Sequence, residues 1–451
     1  MRSKGVQELN KREFLKVSGA AVAGSMMPKI GLGQTRPEGT QTNWAGNYTY
    51  STTHLELPST TEEVRHAIAA SPHVKALGAR HSFNGIADSR EEQIQLHHFD
   101  SMELDANNET VTVGAGVTYG KLAPYIDAKG WAVHNLASLP HISVVGACAT
   151  GTHGSGLKNG NLSTAVRAME IMTADGKLVT LSKETLGDRF AGAVVGLGAL
   201  GVITRITLAV QPTFQMSQVV YQNLDFSVLK DHLREVFASG YSVSLFTDWQ
   251  NHKASEVWIK SKIAGPTLRP APTFHGATLQ TEKLHPIAGT DPINCTDQMG
   301  IPGPWYERMP HFKMNFTPSK GQELQTEYFV PFEHGYEAIR AVEQLRDRIT
   351  PHLFITEFRT VAADDLWMSM AYRRESLALH FTWKPEWLAV KEILPLIEAA
   401  LAPFAPRPHW AKLFIMRPGG HYPHLADFRA LAADYDPSGK FRNDFLNINV
   451  F

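Results

Sequence analysis

Two cysteines in 451 residues, Cys148 in a Gly/Ser-rich stretch and Cys295 in a Pro-rich one, cannot supply a disulfide framework that carries the fold. Charge of one sign is missing as well, because 43 Lys and Arg face 44 Asp and Glu and leave a net charge of −1. No basic run occurs beyond the N-terminus, so neither nucleic acid nor anionic membrane is expected as a main partner, and a small or uncharged substrate is expected instead. No apolar run is long enough to span a bilayer; the weakly apolar Val17–Met27 is too short. Internal repeats are absent, and His421-x-x-His424 lacks the further ligands that zinc requires, so no metal is expected. What is present is 43% apolar and 19% charged residues, the balance of a globular protein, in a chain long enough for two domains.

Residues 1–34 combine Lys11-Arg12-Glu13-Phe14-Leu15-Lys16, the Val17–Met27 segment and small residues around Gly31–Gly33. This is the pattern of a twin-arginine export signal with Lys11 in place of the first arginine. It leads us to expect export of the folded protein to the periplasm or medium; a disordered tail on a cytoplasmic protein is the alternative. Residues 35–43 read as a linker, 44–213 as a first domain, 214–420 as a second, and 421–451 as a segment returning to the first.

Ser59-x-x-Glu62 has capping-box spacing, and Val64, Ala67 and Ile68 form an apolar stripe, so a helix is expected from near Thr60. Val74–Ala79 and Thr110–Gly114 read as strands, Tyr119–Lys129 as a helix and Ala168–Leu181 as a hairpin around Asp175-Gly176, which together indicate an α+β fold. Gly196-Leu-Gly-Ala-Leu-Gly201 matches a dinucleotide fingerprint, but Val202, Thr204, Ile206, Leu208 and Val210 then alternate as a strand closed by Pro212, where the fingerprint needs a helix. The second domain opens with strands at Phe214–Asn223 and Ser242–Trp249. A Pro/Gly-rich loop follows at Gly265–Pro310, then a strand at Glu323–Phe332. Three short strands are expected at Phe354–Val361, Ala378–Lys384 and Lys412–Met416.

Two stretches concentrate chemistry. Ala76-Leu-Gly-Ala-Arg-His-Ser-Phe-Asn84 ends an apolar run in a turn that presents His81, and His141–Gly156 is dense in Gly, Ser and Thr, whose backbone N–H groups and hydroxyls can approach phosphates. With TEFRTVAAD and APRPHWAKLF further on, these motifs resemble the vanillyl-alcohol oxidase and para-cresol methylhydroxylase superfamily of FAD proteins and, within it, the alditol oxidases. The resemblance runs from Asn43-Trp-Ala-Gly-Asn47 to Asp436-Pro-Ser-Gly-Lys-Phe441; where many superfamily members have Gly-x-Gly-His-Ser, this chain has Gly78-Ala-Arg80-His81-Ser82. It implies an FAD-binding domain of the para-cresol methylhydroxylase type, an α+β substrate domain with an antiparallel sheet, and FAD joined covalently to His81. Implied cofactor contacts are Ala79, Arg80, Ser82, Phe83 and Asn84 in the first stretch, Ser138, Ser143, Gly146, Thr150, Gly151, Thr152 and His153 in the second, and Gly201 and Val202 beyond it.

Alternation along a strand places Glu357 and Arg359 on one face, and His380 and Thr382 on one face of the next. Taken alone, such a pattern reads as the solvated side of an antiparallel sheet. The resemblance instead implies a polyol pocket in which Ser138, Glu357, Arg359, Thr382 and Lys412 bind substrate and His380, Lys412 and Arg359 take part in catalysis. His380, with an ordinary pKa of about 6.5, is the preferred base; Lys412, starting near about 10.4, would polarise the substrate oxygen, and the reverse assignment stays open. The implied reaction is oxidation of the terminal C1 hydroxyl of a polyol such as xylitol or sorbitol to the aldose, by hydride transfer to flavin N5 and reduction of dioxygen to hydrogen peroxide. A sugar-1,4-lactone oxidase, an exported dehydrogenase with another acceptor and, in a different class, a periplasmic solute-binding protein are the alternatives. A monomer is expected.

Overall fold

The computed structural model describes residues 41–265, 269–316 and 322–451. The expected export signal and most of the expected linker lie outside the described residues.

The first helix, Thr61–Ala70, is capped one residue later than the sequence spacing suggests. Thr60 accepts from the Glu63 amide, and the Glu63 carboxylate accepts from the Ser59 amide. Its stripe of Val64, Ala67 and Ile68 is buried. The following strand, Val74–Ala76, stops three residues short of expectation, because beyond Leu77, whose amide still bonds the Ile94 carbonyl, the chain makes no further backbone bond to the neighbouring strand. It lies in a three-stranded parallel sheet with Leu55–Glu56 and Glu92–Ile94. Beside it is a five-stranded antiparallel sheet in the order Met102–Asp105, Thr110–Gly114, Val202–Ala209, Val166–Met172, Leu178–Ser182. Burial along Val202–Ala209 alternates strictly, so the Gly196–Gly201 run does open a strand.

Beyond Pro212 the chain builds a ten-stranded antiparallel sheet, counted among the described residues. At its centre Ser242–Thr247, Leu353–Val361, Ser376–Trp383 and Leu324–Pro331 lie side by side. Register sets Glu357 opposite His380, and His380 opposite Glu327 on its other side, so one face of these strands is polar. The opposite face carries Leu245, Phe358 and Phe381 and packs under helices Val228–Ala238 and Gly335–Glu343. Every residue of Ser376–Trp383 is buried, so the polar face is not solvated. It is covered by the earlier part of the chain: Gly156 bridges to Val361, and the Ser155 hydroxyl donates to the Val243 carbonyl. Lys412–Met416 does not form the expected strand. A two-residue strand, Arg407–Pro408, pairs with Leu324–Pro331, and Lys412 follows in a turn held by the hydrogen bond its backbone N–H donates to the His409 carbonyl.

The C-terminal segment lies against the first helix and its sheet. Phe441 is buried among Val64, Ile68 and Val74, and the Val74 amide donates to the Lys440 carbonyl.

Candidate active site

One cleft brings the two stretches together with the polar sheet face. Its walls include Ala79, Arg80, His81 and Ser82 from the first stretch and Ser138, Ser143, Gly146, Thr150, Thr152 and His153 from the second, with Gly201 beyond them. Glu327, Arg359, His380 and Lys412 stand at the sheet end. Phe83, Asn84, Gly151, Val202, Glu357 and Thr382 are not on its walls. Phe83 is buried with its ring 5.0 Å from the Lys412 ammonium, and Asn84 donates to the Trp410 and Lys412 carbonyls, so both brace the Lys412 turn from behind. Gly151 packs toward Met370, and Val202 lies in the core with Phe441. Thr382 pairs across the sheet with Gln325 and Ile355, and Glu357 lies behind Arg359.

The first stretch is shaped to hold an anion. Arg80 adopts φ +61°, a left-handed conformation that costs a non-glycine residue, and its guanidinium is tied to Gln41 at 2.9 Å. The backbone N–H groups of Gly78, Ala79, Arg80, His81 and Ser82 meet no acceptor among the described residues. Those of Leu77 and Phe83 on either side donate to the Ile94 and Ala411 carbonyls at 2.8 and 2.7 Å. A run of unpaired amides around a left-handed residue is the makings of an anion cradle. Gly78 and Gly146 flank Ser143, and a Cβ on either would stand 2.7 Å from its hydroxyl, so the two glycines leave that hydroxyl free to face the cleft. These features fit the diphosphate of an FAD.

His81 stacks on Trp44 with ring centroids 4.4 Å apart, and its Nε2 meets Nε2 of His141, whose ring centroid is 4.3 Å away. Burial, then His141 and Lys412, hold His81 well below the ordinary histidine pKa, so it is a neutral imidazole with a free lone pair. That is the form in which a ring nitrogen can attack carbon. Nδ1 of His141 is buried without a partner.

At the sheet end Arg359 links three elements. Its Nη2 donates to Glu327 at 3.1 Å, its Nη1 approaches the Ser138 hydroxyl at 3.5 Å, and Nε, 3.5 Å from Glu357, has no close acceptor. Glu327 also meets Nε2 of His153 at 3.0 Å. Burial pushes its carboxyl up, but His153 and Arg359 hold it well below the usual range. His153, Glu327 and His409 stand close enough to share an ion, yet Arg359 already balances this carboxylate. Gln325 organises the rest. Its amide nitrogen donates to Glu323, which turns its oxygen toward Nε2 of His380 at 3.2 Å and the Lys412 ammonium. His380 therefore carries its proton on Nε2 and keeps Nδ1 as an acceptor.

The expectation that His380 acts with its ordinary pKa does not hold. Burial lowers it to about 3 against the pull of Glu327, whereas burial brings Lys412 down to about 8. Gln325, Glu327, His141 and His409 were not singled out as site residues from sequence. Gln325 and Glu327 carry the same period-two signal as Glu357 and Arg359, whereas nothing local marks His409.

Comparison with known proteins agrees with this geometry. The FAD binding domain family matches residues 53–182, and the D-arabinono-1,4-lactone oxidase family matches residues 312–449. An alditol oxidase from Streptomyces sp. is 46% identical over 414 residues, 90% of this chain and 97% of that one. An L-gulono-1,4-lactone dehydrogenase from Mycobacterium tuberculosis is 27% identical over 89% of this chain and 97% of its own. Among solved structures, cholesterol oxidase from B. sterolicum superposes with a TM-score of 0.72 at 15% identity, covering 92% of this chain and 97% of that one. A glucooligosaccharide oxidase from Acremonium strictum, described with a 6-S-cysteinyl, 8α-N1-histidyl FAD, gives 0.70 at 15%, covering 91% and 94%. With 46% identity sustained over nine-tenths of its length, the chain belongs to the alditol oxidase family of FAD-binding oxidoreductases.

Proposed function

We propose that this protein oxidises the terminal C1 hydroxyl of a polyol such as xylitol or sorbitol to the aldose, with FAD attached to His81 and dioxygen as acceptor. The observation that carries this reading is the single cleft whose walls hold a neutral His81 beside an unpaired amide run at one end and Arg359, His380 and Lys412 at the other. FAD, held by His81 and the amide run of Gly78–Ser82, would supply the two-electron oxidant for the C1–H bond, with dioxygen as terminal acceptor and hydrogen peroxide as by-product.

The protein's own residues bind, orient and deprotonate. Lys412 is better matched than His380 to accept the O1 proton, because a base works best with a pKa near the operating pH, and Lys412 lies at about 8 while His380 lies at about 3. Nδ1 of His380 accepts from a substrate hydroxyl, since Nε2 is committed to Gln325. Arg359, tied to Glu327 and Ser138, donates to hydroxyls along the chain and places a fixed positive charge where negative charge develops. Neither cysteine lines the cleft, so the histidyl bond is the one covalent tie we assign.

A sugar-1,4-lactone substrate is the second reading, favoured by the match of residues 312–449 to a lactone oxidase family. Air-saturated purified protein should release hydrogen peroxide stoichiometrically with xylitol or sorbitol. Peroxide formed from lactones with no turnover of any polyol would transfer the assignment to the second reading.

A further inference from the structure

Lys260 is a fully buried lysine outside the cleft, on the strand Lys253–Lys262, and its ammonium is surrounded by three acceptors. These are the Met309 carbonyl at 2.6 Å, the Pro310 carbonyl at 3.0 Å and Nδ1 of His311 at 3.0 Å. An ammonium has three hydrogens and no lone pair, so all three are used and Nδ1 of His311 must accept. A neutral imidazole that accepts at Nδ1 donates from Nε2, and Nε2 of His311 lies 2.8 Å from Oε1 of Glu357. Burial, then Lys260, lowers His311 to about 4, which keeps the ring neutral. Glu357 then receives an N–H and, although burial pushes its carboxyl up, Arg359 and His311 hold it ionised. His311 and Arg359 also line a small cavity beside Ser138, so this chain of groups ends at the edge of the cleft.

We propose that Lys260 and His311 are positioning residues for the polyol site: Lys260 fixes the His311 tautomer, and His311 thereby holds Glu357 as an ionised partner behind Arg359, the guanidinium that reaches the cleft. The inference rests on the polyol reading above. It also gives a purpose to the long Pro/Gly-rich loop, whose last two residues deliver the two carbonyls and lead directly into His311. Were Lys260 to lose its proton, the amine would accept from Nδ1–H, and the bare Nε2 would face the Glu357 carboxylate, loosening its hold on the Arg359 guanidinium that meets the substrate. Burial draws the Lys260 pKa down to about 7, Glu357 and the Cys295 side raise it, and Arg359 lowers it, so this proton is the one lost as pH rises.

The test uses the holoenzyme. Lys260→Met should raise KM for xylitol by ~10–100-fold, the scale of losing hydrogen bonds to a charged group, with a smaller effect on the reduction rate at saturation. Lys260→Met/His311→Gln should recover most of that loss, because a glutamine amide donates to Glu357 without needing a tautomer lock. Wild-type KM should rise as pH passes about 7 and that of Lys260→Met should not. Wild-type KM in Lys260→Met, or a defect that His311→Gln fails to relieve, overturns the proposal. Should Lys260→Met not fold, ¹⁵N NMR of the substrate-free wild type decides. Protonated Nε2 with bare Nδ1 at His311 supports the proposal, and any other state refutes it. Because that spectrum needs no substrate, an enzyme that turns over no polyol sinks the functional reading without touching the tautomer result.

Discussion

Arg80 shows how a single residue can carry a backbone requirement. A left-handed φ of +61° explains why a pattern with glycine at this position suits the turn, and this chain meets the same geometry with a strained arginine braced by Gln41. The consequence falls on His81, which the turn presents to the cleft as a neutral ring in contact with His141. Two imidazoles so close make the point of attachment an experimental question. The account expects the flavin on the tryptic peptide His81–Arg90 in the denatured, digested wild type, and no covalent flavin in His81→Ala. Flavin found on the peptide containing His141 would reassign the bond. At this scale the sequence was readable in position, as in the turn that sets His81 on the cleft wall, and unreadable where a property depends on surroundings. The fall of His380 to about 3 comes from burial and distant partners that no neighbouring residue announces.

Strands were the most legible elements, because alternation is a local signal that survives folding. Glu357, Arg359 and His380 share a face as period two requires, and the alternation of Val202–Ala209 ruled out a dinucleotide fingerprint. Lys412–Met416 failed as a strand because one backbone bond, from the Leu413 amide to the Gln325 carbonyl, is all that ties it to that edge: Arg407–Pro408 pairs there, and Lys412 is placed by a turn and by Asn84 instead. The start of the first helix was read to within one residue, since the cap moved from Ser59 to Thr60, whereas the expected Tyr119–Lys129 helix ends two residues early, at Asp127. The C-terminal segment makes an element-scale prediction. Phe441 is 1% exposed against Val64, Ile68 and Val74, so Phe441→Ala should remove about 3–5 kcal/mol in urea unfolding of the holoenzyme. An unchanged midpoint would mean that the segment does not anchor on the first helix as described.

For the whole molecule, the informative fact is that the polar face of a ten-stranded sheet is buried, covered by the part of the chain that holds the amide cradle and His81. From sequence alone that face reads as solvated, because the covering element lies some two hundred residues earlier and alternation cannot report what packs on top. Covering it excludes water from Arg359, Lys412 and His380 and shifts their pKa values, so fold and chemistry are coupled at this interface. The most direct test is anaerobic stopped-flow of the holoenzyme with saturating xylitol across pH, in wild type and in Lys412→Met. The account predicts that wild-type flavin absorbance bleaches in a single turnover, and that the rate climbs with pH through about 8 as Lys412 loses its proton. In Lys412→Met bleaching should be slower by about 10²–10⁴-fold and lack that rise. Flavin that stays oxidised with every polyol, or a pH-dependent limb that survives in Lys412→Met, would contradict it.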